Sequence, residues 1–200
     1  MNRRRNLDHF SKKAKAQGYA ARSVFKLEEI NQRFKVFKRG DYIIDLGCAP
    51  GSWLKYAAQQ VGHSGKCVGI DRVSVDLSLP NVETMVGDIY EIDAHAFDQG
   101  GKAFNLVMSD MAPDTCGNRQ TDHIRSVQLC ERALEIARMF LAPGGHFICK
   151  VFEGGDLNSF VNDVKTTFGA VKRVKPKSTR SESVELFIVA RNFRPVHTPG

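Results

Sequence analysis

A lysine interrupts the apolar run Phe147-Ile148-Cys149-Lys150-Val151-Phe152, which otherwise has the composition of a strand buried on both faces. An amine placed there loses hydration, which favours its neutral form and lowers its pKa from the reference of about 10.4. Such a lysine can serve as a general base, although a lysine at a strand end can also snorkel to water. Asp110 ends the preceding apolar run, Phe104–Ser109, and consecutive strands usually neighbour each other. A carboxylate facing Lys150 would orient the amine while drawing its pKa back up. Lys26 and Glu185 are two further candidates, but spacing alone does not bring them to Lys150, and singly each reads as a solvated ion pair.

A second constellation surrounds Asp45–Trp53, D-L-G-C-A-P-G-S-W, directly after Tyr42-Ile43-Ile44. A strand that breaks into a glycine turn and then a helix lets bare backbone press against a nucleotide-type ligand. The spacing is not the G-x-G-x-x-G of a dinucleotide site. With Asp45 beside Gly47 and Gly51, the turn offers a carboxylate where a phosphate would want donors. That suits a positive amino or sulfonium group, so S-adenosylmethionine ranks above NAD. Asp71 sits where an acid can take ribose hydroxyls, and Asp88 where one can accept from an adenine amino group. Any one strand-end aspartate could simply cap a helix; Asp45, Asp71, Asp88, Asp110 and Lys150 together point to a ligand. Trp53, the only tryptophan, reads equally well as a core anchor.

These residues need a scaffold, and the chain supplies one of alternating elements. Strands are predicted at 42–46, 66–71, 82–87, 104–109, 146–152, 170–174 and 184–190. Helices are predicted at 22–34, 52–61, 122–140 (capped by Asp122, with Ile124 on its apolar face) and 156–168. The pattern predicts an α/β fold with a seven-stranded, mostly parallel sheet, an antiparallel pair at one edge and helices on both faces. In such sheets ligands bind beyond the carboxyl ends of the strands. Residues 1–17 read as polar and frayed. The expected organisation is a basic N-terminal segment over 1–21, one catalytic domain over 22–193 and a tail over 194–200.

Net charge is +7, and its distribution says more than its size. Residues 1–39 carry twelve Lys and Arg against three acids, residues 40–171 ten against seventeen, and residues 172–200 seven against two. An acidic body between two basic flanks suits a polyanion partner. No apolar run reaches the roughly 20 residues of a membrane span. Five cysteines without a C-x-x-C pair argue for reduced thiols, with no disulfide or metal site, and Cys116 is the one expected to be exposed. The Arg-rich start leaves a mitochondrial leader open, but Asp8 and the lack of a long Ser-rich stretch favour the cytoplasm.

In its ordered motifs the chain resembles the FtsJ-type ribosomal RNA 2′-O-methyltransferases over roughly residues 9–191. They are K-K-A-K-A-Q-G-Y-A-A-R-S at 12–23, F-K-L at 25–27, D-L-G-C-A-P-G-S-W at 45–53, G-I-D at 69–71 and G-D at 87–88. M-S-D-M-A-P at 108–113, L-A-P-G-G at 141–145, K-V-F at 150–152 and S-x-E at 183–185 complete the set. The resemblance implies a Rossmann-like class I methyltransferase fold and a tetrad of Lys26, Asp110, Lys150 and Glu185, with Lys150 as proton acceptor. It implies S-adenosylmethionine contacts at Gly51, Trp53, Asp71, Asp88 and Asp110. The implied partner is ribosomal RNA of the large subunit, with the A-loop uridine as target and a monomer as the acting species. Cys48, Ser52 and Asp114 depart from the commoner alanine, glycine and asparagine.

Other readings are a 2′-O-methyltransferase of transfer or capped messenger RNA, a small-molecule methyltransferase, and an RNA-binding ribosome assembly factor without chemistry. An inserted substrate domain would favour the small-molecule enzyme, and there is no room for one. The intact tetrad argues against the silent factor, and the glycine spacing against a dehydrogenase.

Overall fold

The apolar runs become seven strands of one sheet: β1 (Tyr42–Leu46), β2 (Lys66–Asp71), β3 (Val82–Val86), β4 (Phe104–Ser109), β5 (Leu141–Phe152), β6 (Phe168–Val174) and β7 (Glu185–Phe193). The computed structural model describes residues 3–93, 95–97, 100–180 and 182–195; residues 196–200 of the expected tail lie outside them. Strand order is β3-β2-β1-β4-β5-β7-β6. The strands β3 to β5 run parallel, and β7 is antiparallel to both β5 and β6. The chain leaves β1 toward β2 and β3, then returns to add β4 on the other side of β1. The switch point therefore falls between β1 and β4, where a ligand crevice is expected.

Side chains alternate across the sheet. Ile44, Leu46, Val107, Cys149 and Val151 pack with α4 (Arg119–Phe140) and α5 (Leu157–Thr167) on one face. Ile43, Met108, Ile148 and Phe187 pack with α2 (Val24–Phe34) and α3 (Ser52–Val61) on the other. Asp45 and Lys150 follow the second set by period 2, so two ionisable groups occupy positions that otherwise hold apolar side chains.

Several boundaries differ from expectation. Residues 3–16 form a helix, α1, where fraying was expected. Its anchor is apolar: Ala14 is buried, Phe10 meets Phe25 at 5.5 Å between ring centroids, and the Lys13 ammonium lies 4.7 Å from the Phe25 ring. Helix α4 starts three residues early, because Asn118 accepts from Gln120 N–H and Thr121 N–H. Asp122 does not cap it; its carboxylate accepts from Cys116 N–H at 2.8 Å and folds the preceding loop onto the helix. Ile124 is exposed rather than on the buried face. Strand β5 already begins at Leu141: it pairs with Phe104, the Pro143-Gly144-Gly145 stretch bulges, and pairing resumes at His146 with Leu106. Cys116 is the exposed cysteine, as expected.

Candidate active site

At the carboxyl end of β1 the chain turns at Gly47, whose φ of 72° few side chains tolerate, and enters α3 after Gly51 at φ 93°. Gly47 and Cys48 N–H groups donate to the Ile70 carbonyl, tying the turn to β2. Asp71, at the end of β2, accepts from Ala49 N–H at 2.9 Å and from Val73 N–H at 3.0 Å. Beside it, Asp88 accepts from Tyr90 N–H at 3.0 Å, and its other oxygen accepts from the Arg72 guanidinium at 2.7 and 3.0 Å. The Tyr90 amide, opposed by partial burial and helped by Arg72, holds the Asp88 carboxyl below its ordinary range. Sequence reasoning passed over Arg72, although a cation directly after Asp71 was visible.

Gly47, Asp71, Asp88 and Asp110 line one cleft of about 580 Å³, with Met111 and Pro113 of the loop after β4 as its apolar wall. Its size is ordinary for a nucleoside-sized ligand. Four carboxylates, Asp71, Asp88, Asp110 and Asp114, outnumber the two guanidinium groups of Arg72 and Arg125 around it, an acidic balance that suits a cationic one. The other expected contacts do not line it. Gly51 is buried beneath the turn, against Val75 and Leu77. Trp53 is 3% exposed, with its indole N–H on the Ser23 carbonyl at 3.0 Å and its ring 5.8 Å from Phe187. Asp45 is 1% exposed, and its Oδ2 has no hydrogen-bond partner. Burial above all, then the charges of Asp110 and Asp71, push its carboxyl well above the ordinary range.

At Asp110, which lines this cleft, four segments bring the tetrad together. Lys150 of β5 is 7% exposed and donates to the Asp110 backbone carbonyl at 2.6 Å. Its Nζ also lies 3.2 Å from Asp110 Oδ1. That oxygen is out of hydrogen-bond alignment, so the contact is ionic and the directed bond is the one to the carbonyl. Glu185 of β7 stands 3.9 Å from Lys150 and accepts from Lys26 of α2 at 2.9 Å. Strand register explains the approach. Lys150 pairs with Phe187 and Phe152 with Glu185, so Lys150 and Glu185 share a face two residues apart. Burial alone would raise the Glu185 carboxyl, but the Lys26 charge and hydrogen bond, with Lys150 and Ser183, outweigh it and leave it below its ordinary value.

Helix α3 places Lys26. Trp53 holds the Ser23 carbonyl, and Ser52 Oγ accepts from Ala21 N–H at 2.7 Å, so the start of α2 hangs on the helix that follows the glycine turn.

The two basic flanks, distant in sequence, converge beside this tetrad. Arg22 and Arg180 line a cleft with Lys26 and Glu185. Partial burial first and the like charge of Arg180 second lower the Arg22 pKa, against an opposing pull from Glu185. Lys13, Arg33 and Lys177 line a second cleft, where Lys177 N–H donates to Glu29 at 2.7 Å.

Comparison with known proteins identifies the family and the fold. The profile of the FtsJ-like methyltransferases matches residues 19–193. A protein of Desulfatibacillum aliphaticivorans named ribosomal RNA large subunit methyltransferase E is 46% identical over 183 residues, covering 91% of this chain and 88% of its own. One of the same name from Halorubrum lacusprofundi is 43% identical over 195 residues, covering 94% and 72%. A crystallised Plasmodium falciparum chain described as a ribosomal RNA methyltransferase superposes with a TM-score of 0.77 at 27% identity, over 88% of this chain and 100% of that one.

Proposed function

Taking as premise that this chain belongs to the FtsJ-like methyltransferase family, we propose that it transfers a methyl group from S-adenosylmethionine to a ribose 2′-hydroxyl of ribosomal RNA. The target is the A-loop uridine of the large-subunit RNA, and the acting species is a cytoplasmic monomer. Residues 22–193 form the catalytic domain and residues 1–21 a basic arm. The observation that carries this reading is the meeting of Lys150 and Glu185 at Asp110, which itself lines the acidic cleft.

The cleft residues fit the cofactor chemically: Asp71 and Asp88 offer acceptors to ribose hydroxyls and an adenine amino group, while Gly47 and Gly51 keep the turn free of side chains. Trp53 shapes the pocket through α2 and the turn, and Asp45, buried with its carboxyl held toward the neutral form, ends the strand that leads into it. When bound, S-adenosylmethionine supplies an electrophilic sulfonium methyl group.

The protein's part is positioning and proton handling, and positioning supplies most of the rate for so reactive a donor. Lys150 accepts the 2′-hydroxyl proton or holds the oxygen's lone pair in line. Asp110 steers Lys150 through its carbonyl and carboxylate. Glu185 fixes Lys26 and, with it, the ribose. The basic clefts around Arg22, Arg180 and Lys177 take RNA phosphates, which position the strand without reading its bases.

The test is a map of 2′-O-methyl groups in RNA from cells lacking the protein. Loss of one A-loop uridine methyl is expected. Loss from transfer RNA instead would move the substrate, and an unchanged map would remove the assignment.

A further inference from the structure

Strand β4 stops pairing with β5 at Ser109 opposite Cys149, because the chain must turn there for Asp110 to meet Lys150. Beyond that point β5 runs on to Phe152, with β7 on one side and, among the described residues, no strand on the other. Backbone groups of residues 150 and 152 point to the same side of a strand, and buried ones need partners. Helix α4 supplies them. Cys130 Sγ donates to the Lys150 carbonyl at 2.9 Å. Ser126 Oγ accepts from Phe152 N–H at 3.0 Å. His123 Nδ1 lies 2.9 Å from the Phe152 carbonyl, and its Nε2 accepts from Asp156 N–H at 3.0 Å. Both ring nitrogens are thereby assigned: Nε2 is the acceptor, so Nδ1 carries the hydrogen.

The spacing fits the task. Positions 123, 126 and 130 lie on one helix face. Four residues of helix rise about 6 Å and two residues of strand about 6.6 Å, so Cys130 and Ser126 reach carbonyl and amide two residues apart. All three side chains are buried. The loop after β5 also accommodates the ring: a Cβ on Gly154 would collide with the His123 imidazole.

We propose that Cys130, Ser126 and His123 are positioning residues for methyl transfer, a side-chain ladder that replaces the missing strand and fixes the backbone carrying Lys150. This rests on the reading of Lys150 as proton acceptor. The ladder touches neither the cleft that takes the cofactor nor the basic clefts, so its loss is felt in the chemical step and not in binding.

The experiment measures single-turnover methyl transfer at saturating RNA, per S-adenosylmethionine site counted by calorimetry, so that unfolded protein does not contribute. Cys130→Ala and Ser126→Ala are each expected to slow the step on the order of tenfold through misplacement of Lys150. Affinities for cofactor and RNA should stay within about twofold. Cys130→Ser, which keeps a donor in place, should recover the wild-type rate. An unchanged rate in the alanine variants, or a serine variant as slow as alanine, overturns the proposal. Should the alanine variants bind no cofactor, His123→Asn against His123→Leu serves instead: asparagine retains a donor and an acceptor. A faster step for asparagine supports the ladder, and equal rates overturn it. Lys150→Ala, run alongside, separates the two readings: activity there defeats the proton-acceptor role itself, whereas an inactive Lys150→Ala with unaffected α4 variants defeats only the ladder.

Discussion

Lys26 and Glu185 meet at 2.9 Å although 159 positions separate them, and the same glutamate faces Lys150 at 3.9 Å. One carboxylate thus stands between two ammonium groups, and it is only a quarter exposed.

Replacing it with the neutral isostere leaves both amines in place and removes their shared counter-charge. Glu185→Gln is expected to lower the methyl-transfer rate at least about tenfold, and to cost roughly 1.5–3 kcal/mol of stability, the range for a hydrogen bond to a charged group. Thermal unfolding and single-turnover rates measure the two. A variant with wild-type values of both would show the pair to be incidental.

The pH dependence of this pair has a definite sign. The Glu185 carboxyl in the fold lies below the 4.5 of the free side chain. Its stabilisation is therefore complete above that value and is lost as pH falls through the lower folded one. Denaturation followed from pH 6 to 3 should show a loss in the wild type that Glu185→Gln lacks.

Asp45 has the opposite sign. Its folded carboxyl stays protonated well above 3.8, where the unfolded chain has already released the proton. Stability contributed by this group thus falls as pH rises from 3.8 toward the folded value. Asp45→Asn is expected to flatten that slope. An unaltered slope would mean that the buried oxygen finds a partner.

Asp71 anchors both the glycine turn and the strand end, through Ala49 and Val73. Asp71→Ala should weaken S-adenosylmethionine binding about tenfold or more by calorimetry, since a charged hydrogen-bond acceptor is lost. Lys150→Ala should instead leave that affinity intact and abolish transfer.

RNA affinity should fall steeply with salt, because phosphate contacts release counterions. Neutralising Arg22 and Arg180 together is expected to reduce the slope of log K against log salt by about two. An unchanged slope places the strand elsewhere.

Much of this arrangement was legible in the residues. The nearness of Lys150 and Asp110 followed from consecutive strands, and the acidic cleft from carboxylates repeated at strand ends. The Lys26–Glu185 pair followed from the resemblance and not from spacing, because only β7 slipping between β5 and β6 carries Glu185 to the face of α2. The first helix was not legible, because its few apolar anchors are lost among lysines until Phe25 is there to receive them. The polar face of α4 was hidden for a similar reason. His123, Ser126 and Cys130 look like interruptions of an apolar stripe until the backbone they serve is known.

Gly47 and Met111 carry a last consequence. A methyl group on Gly47 would strike the Met111 side chain, one residue past Asp110. The glycine turn after β1 and the loop after β4 are therefore in mutual contact, like two cogs. Anything that pries one open must push the other, so under the proposed function a filled pocket would press on the loop that carries Asp110.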